Sequence, residues 1–178
     1  MKKVLVVVDM QNDFIAGSLG SKDAEATVDP IIREIRSGSY DYVALTRDTH
    51  QDNYLKTLEG INLPVEHCLY GTSGWQINDK IYAAVLETGI EYKIFDKKSF
   101  GCLSLASELD VYHDVLEEIT VCGLCTDICV AATALHLRSC LPDVPMYYVE
   151  DATAGLSVEN KKAALIVLNS CQIYERKK

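Results

Sequence analysis

Cys129, Asp9 and Lys97 could together run nucleophilic chemistry, although they lie far apart in the chain. Cys129 sits about one turn into a helical pattern that starts near Thr126-Asp127, just after an apolar β-prone run. A thiol near a helix N-terminus has its thiolate stabilised by unpaired N–H groups and the helix dipole, which makes Cys129 a candidate nucleophile. The bland alternative is a buried helix cysteine acting as a small hydrophobe. A cysteine nucleophile needs a base, and the base needs an orienting partner. Asp9 and Lys97 end two other β-prone runs. A carboxylate beside an ammonium can take the thiol proton while the cation stabilises the resulting anions. Read singly, Asp9 is equally a capping aspartate, and Lys97 or Lys98 a solvated loop charge.

Asp48 and His50 stand two residues apart in Arg47-Asp48-Thr49-His50, and His67 follows in the same polar stretch. Carboxylate and imidazole ligands suit Zn²⁺, Mn²⁺ or Fe²⁺, and three of them leave positions open for water or substrate. By itself the spacing also fits surface loop residues. Cys122-Gly123-Leu124-Cys125 offers a rival chemistry, since C-x-x-C in an α/β protein can be a dithiol redox pair. No aromatic or proline flanks it, and a strand-core cysteine plus a turn cysteine is the simpler account. With Cys129 the pair could also seed a metal or Fe–S site, but no fourth ligand is evident nearby.

The elements that must position these residues alternate in type. Strands are expected over 3–9, 42–46, 92–95, 118–122, 146–149 and 172–174, and helices over 24–36, 78–87, 103–109, 127–140 and 158–170. The stretch 47–74 reads as irregular and, being long, as functional. This alternation predicts right-handed βαβ units: one three-layer, doubly wound, mainly parallel six-stranded sheet with helices on both faces, a single α/β domain over 1–178. Ligands of such sheets sit beyond the carboxyl ends of the strands. Asp9, Thr46 to His50, Lys97 and Cys122 to Cys129 all fall there, and their convergence is the physical argument for an enzyme.

Composition narrows the classes. The chain has 178 residues, 17 basic and 26 acidic, a net charge of -9. Without a basic patch, nucleic acid and anionic membrane are poor partners. The longest apolar runs, such as Val4 to Val8, are far shorter than the roughly 20 residues of a membrane span. Met1-Lys2-Lys3 opens like a signal peptide, but Asp9 and Asp13 interrupt the apolar stretch. Seven cysteines, an odd number mostly within apolar stretches, argue against a disulfide framework. A cytoplasmic protein is expected.

Several motifs, in order, resemble the isochorismatase-like cysteine hydrolases, and within them the nicotinamidases (pyrazinamidases). They are Val7-Val8-Asp9-Met10-Gln11-Asn12-Asp13-Phe14, Thr46-Arg47-Asp48-Thr49-His50, His67-Cys68 with Gly71-Thr72, Asp96-Lys97 with Phe100, and Gly123-Leu124-Cys125-Thr126-Asp127-Ile128-Cys129-Val130. The resemblance covers nearly the whole chain. It implies a triad of Asp9, Lys97 and Cys129, a cis peptide before Cys125, and an oxyanion hole from the N–H groups of Cys125 and Cys129. It implies one divalent transition metal, zinc first and manganese or iron otherwise, on Asp48, His50 and His67, with Glu59 at the spacing of a fourth ligand. The implied reaction takes nicotinamide to nicotinic acid and ammonia through a cysteine thioester, as in NAD salvage. Phe14 and Gln11 are the expected substrate contacts, and a homo-oligomer is expected because relatives are commonly dimers or larger. Two departures bear on the substrate. Leu63-Pro64-Val65-Glu66 replaces the segment where many nicotinamidases carry a ring-stacking tryptophan, and Gly101-Cys102-Leu103 replaces their Ser-Ala-Phe. Metal-free relatives acting on another small amide or on isochorismate are the alternative.

Overall fold

Strand β1 (Lys3–Val8) carries five consecutive apolar residues, Val4 to Val8, each completely buried. Only a strand covered on both faces can hide such a run. Its neighbours are β2 (Tyr42–Asp48) on one side and β4 (Glu118–Leu124) on the other; β3 (Glu91–Lys97), β5 (Met146–Ala154) and β6 (Ile173–Glu175) complete the order β3-β2-β1-β4-β5-β6. Every pairing is parallel, so the sheet is wholly rather than mainly so. The computed structural model describes residues 2–177; Met1 and Lys178, the ends of the sequence-based domain reading, lie outside the described residues.

Alternation along β1 separates two cores. Val4, Val6 and Val8 pack with Leu105, Leu137 and Leu165 of helices α6 (Leu103–Asp110), α7 (Ala131–Cys140) and α8 (Val158–Ser170). Leu5 and Val7 face the other layer, with Ile31, Ile81 and Val85 of α3 (Val28–Ile35) and α5 (Asp79–Thr88). Each such buried side chain contributes about 1.5–3 kcal/mol relative to exposure. Short helices α1 (Asn12–Ile15), α2 (Lys22–Ala26) and α4 (Leu58–Asn62) lie in the connections. Among the described residues no helix is long and apolar enough to cross a membrane.

Two expected helices differ. The one over 24–36 is broken at Thr27, between α2 and α3. Pro30 has no N–H for the carbonyl of Ala26, and its ring clashes with that carbonyl in a continuous helix. The expected helix over 127–140 begins as a π-helical turn, Thr126–Val130, in which Val130 N–H donates to Cys125 O (3.1 Å). The stretch 47–74 is less irregular than expected, holding the end of β2, a 3₁₀ turn (Tyr54–Lys56) and α4.

The order reverses between β1 and β4, which opens a crevice at their carboxyl ends. There the strands press together at Gly123, which has φ 115° and pairs with Val8; a Cβ on it would lie 2.1 Å from Val8 O. Gly123→Ala is therefore expected to cost about 1–3 kcal/mol from backbone strain, read as a lower urea midpoint. An unchanged midpoint would contradict this packing.

Candidate active site

The carboxyl ends of four strands converge here. β1 ends at Val8, and Asp9 follows in left-handed backbone (φ 48°), which aspartate tolerates better than most residues. Its N–H donates to Thr46 O (3.2 Å), and Thr46 Oγ1 donates to Asp9 Oδ1 (2.7 Å). In the β2–β3 register Asp48 stands opposite Lys97. Lys97 Nζ consequently lies 2.7 Å from Asp9 Oδ2 and 3.5 Å from Asp48 Oδ1, and 3.6 Å from Cys129 Sγ. The Leu124–Cys125 peptide is cis, and the π-helical turn after it carries Cys129 to the same place. Lys98, the other lysine considered, is exposed.

Burial sets the electrostatics. It pulls the Lys97 ammonium towards neutrality, but Asp9, Cys129 and Asp48 together outweigh it and hold its pKa above the ordinary value. Asp9 goes the other way: burial raises it more than Lys97 lowers it. Burial, then the Asp9 charge, raises the Cys129 thiol well above its ordinary value against the pull of Lys97. The resting sulfur is thus a thiol, not the helix-stabilised thiolate that sequence position alone suggests. A thiol of this kind calls for a base, and the Asp9 carboxylate shares the Lys97 ammonium with it.

Beside Asp9, Lys97 and Cys129, the residues Asp48, His50, Glu59 and His67 gather ligand atoms that all lie within 4.8 Å of one another. His50 Nε2 is 3.0 Å from Asp48 Oδ2, and His67 Nε2 is 3.7 Å from Glu59 Oε1. His67 Nδ1 is 2.9 Å from Val65 O, so its N–H points there and Nε2 keeps its lone pair for the cluster. Two imidazoles and two carboxylates form a donor set that fits a divalent metal. Tyr54, fully buried, packs against both imidazoles, with ring centroids at 4.6 and 5.0 Å, and donates to Leu63 O (2.9 Å).

A cavity of about 170 Å³ joins the two groups, with Cys129, Cys125, Asp48, Glu59 and His67 in its wall. This is below the roughly 300–1,000 Å³ of pockets for drug-sized ligands, so its occupant is small. The rest of its wall is apolar: Phe14, Leu19, Leu63, Phe100, Ile128 and Leu156. Gln11 does not reach it. Contrary to the expected substrate contact, its completely buried amide is taken up by backbone, donating to Asp48 O (2.8 Å) and Trp75 O (2.9 Å) and accepting from Asp48 N (2.7 Å). Sequence reasoning missed Tyr54 and the leucines, which come from separate loops. The signal for Trp75 was its being the only tryptophan; it lies 3.5 Å from the Arg47 guanidinium. The cysteines are all free. Burial raises Cys122, and raises Cys125 to about 12, which leaves little thiolate for redox exchange.

Fold and site together define a hydrolase class. A family model, the isochorismatase domain, matches residues 3–174, and the chain belongs to that family of hydrolases. Among relatives, the nicotinamidase of Saccharomyces cerevisiae is 29% identical, over 75% of this chain and 80% of that protein. The crystal structure of a nicotinamidase from Bacillus subtilis superposes with a TM-score of 0.82 at 24% identity, covering 99% of this chain and 100% of that one. A pyrazinamidase of Pyrococcus horikoshii in complex with zinc gives 0.78 at 23% identity, covering 100% of both chains.

Because Lys97 holds down the Cys129 pKa, Lys97→Met should slow iodoacetamide alkylation of Cys129 at fixed pH by about tenfold for each unit by which that pKa rises. Unchanged alkylation, followed by peptide mass mapping, would contradict that electrostatic role.

Proposed function

We propose that this chain, as one domain, hydrolyses nicotinamide to nicotinic acid and ammonia, with Cys129 as nucleophile. The observation that carries the reading is one small apolar cavity that has in its wall both the Cys129 thiol and Asp48, Glu59 and His67, three members of a two-histidine, two-carboxylate donor set. The nicotinamidases and the zinc-bound pyrazinamidase that it resembles support it.

In this reading the flat ring lies among Phe14, Leu63 and Ile128, filling the place of a stacking tryptophan. Asp48, His50, His67 and Glu59 would hold a divalent transition metal, zinc foremost, which when bound supplies a Lewis-acid position for the pyridine nitrogen. Asp9 removes the Cys129 proton, and the sulfur forms a bond to the amide carbon as the carbonyl electrons move to oxygen. Backbone N–H groups of Cys125 and Cys129 donate to that oxyanion, worth about 3–4 kcal/mol per donor in a comparable hydrolase. Asp9 passes its proton to the departing nitrogen, the C–N bond breaks and ammonia leaves. Water, deprotonated by Asp9, then cleaves the thioester to the acid and restores the thiol. Lys97 stays protonated throughout and balances Asp9 as it gives and takes the proton. A cytoplasmic homo-oligomer is the setting proposed.

Ammonia release from nicotinamide tests this. Wild-type protein should turn over, metal removal by a chelator should stop it, and added Zn²⁺ or Mn²⁺ should restore it. Cys129→Ala should lower kcat by more than about 10³-fold with metal content unchanged. Turnover by Cys129→Ala near the wild-type rate would exclude Cys129 as nucleophile, and wild-type protein inactive with metal restored would exclude nicotinamide.

A further inference from the structure

The segment after β1 carries one reacting group, Asp9, and three polar side chains for which the reaction has no use, of which Gln11 and Asp13 reach the backbone at or beside metal-cluster residues. Gln11 grips the backbone N–H and carbonyl of Asp48 at 2.7 and 2.8 Å, as a neighbouring strand would, beyond the last β1–β2 partners Val7 and Leu45. Its second donor holds Trp75 O. Asp13 Oδ2 accepts from the N–H of Cys68 (2.8 Å), the residue after His67, where the backbone is left-handed (φ 47°). The main chain ties down the same loop: Asn12 N–H donates to Gln76 O and Asp13 N–H to Gly74 O, both at 3.0 Å. Gly74 makes room for this approach, because a Cβ there would lie 2.1 Å from Asp13 Oδ2.

We infer that Gln11 and Asp13 are positioning residues for the metal cluster, Gln11 fixing the main chain of Asp48 and Asp13 the main chain beside His67. The segment that supplies the base thereby also sets where two ligands from separate elements stand. The inference rests on the metal reading proposed above. It is distinct from ordinary support of the fold, because it concerns ligand geometry rather than stability.

The test is Zn²⁺ affinity of metal-stripped protein, measured by competition with a chromophoric chelator. Gln11→Met and Asp13→Ala should each weaken binding by about 10–100-fold, the usual loss when a ligand's support is removed. Asp13→Asn, which keeps a carbonyl oxygen for Cys68 N–H, should bind like wild type. So should Arg176→Met, which removes hydrogen bonds to Glu118 and Thr120 elsewhere in the sheet. Wild-type affinity in Gln11→Met and Asp13→Ala, or an equal loss in Arg176→Met, would overturn the inference alone. Wild-type protein that binds no Zn²⁺ would overturn the metal reading with it. Should Gln11→Met fail to fold, the Asp13 pair decides.

Discussion

One buried ammonium holds this site together. Lys97 lies between Asp9 and Asp48 and against Cys129, with its side chain only 2% exposed. Charges withdrawn from water are costly unless they are paired, and removing one partner leaves the others stranded. Asp9 and Asp48 must therefore lie close to Lys97, which demands that β1, β2 and β3 be adjacent and parallel. It also demands the register that sets Asp48 opposite Lys97. The completely buried Val4 to Val8 run meets the first demand by forcing β1 to the middle of the sheet. The close approach at Gly123 then brings β4 against β1, so that the turn after β4 delivers Cys129 to the same cation.

Sharing one cation couples two functions that the sequence lists separately. Asp9 and Asp48 answer to the same ammonium, the first facing the thiol and the second facing two imidazoles. The cavity between them offers an apolar wall to a ring. Asp48 and Glu59 are the charged carboxylates in that wall, and the lysine nearby is already engaged by both aspartates.

Much of this was legible in the sequence for a physical reason. In a parallel sheet every strand ends on the same rim, so Asp9, Thr46 to His50, Lys97 and Cys129 could be placed together without knowing the strand order. What depended on exact register or on loop paths was not. Gln11 reads as a polar residue beside a site, and only the structure shows its amide occupied by the backbone of Asp48 and Trp75. Pro30 was in plain view, yet the apolar stripe of Val28, Ile31, Ile32 and Ile35 suggested one helix through it; the stripe survives on α3 while the helix breaks at Thr27. The π-helical turn at Thr126–Val130 leaves the same apolar pattern as an α-helix and so has no sequence signature. Leu19, Leu63 and Leu156 come together only because three loops fold over one crevice.

A cysteine nucleophile must carry the acyl group before water releases it. Acid-quenching the enzyme during turnover of nicotinamide and mapping its peptides by mass should find a nicotinoyl group, nicotinamide less ammonia, on Cys129. Added hydroxylamine should divert the same group to the hydroxamate. A nicotinoyl group on Cys125 or any other residue, or product release from which hydroxylamine captures nothing, would contradict a Cys129 thioester held beside Lys97.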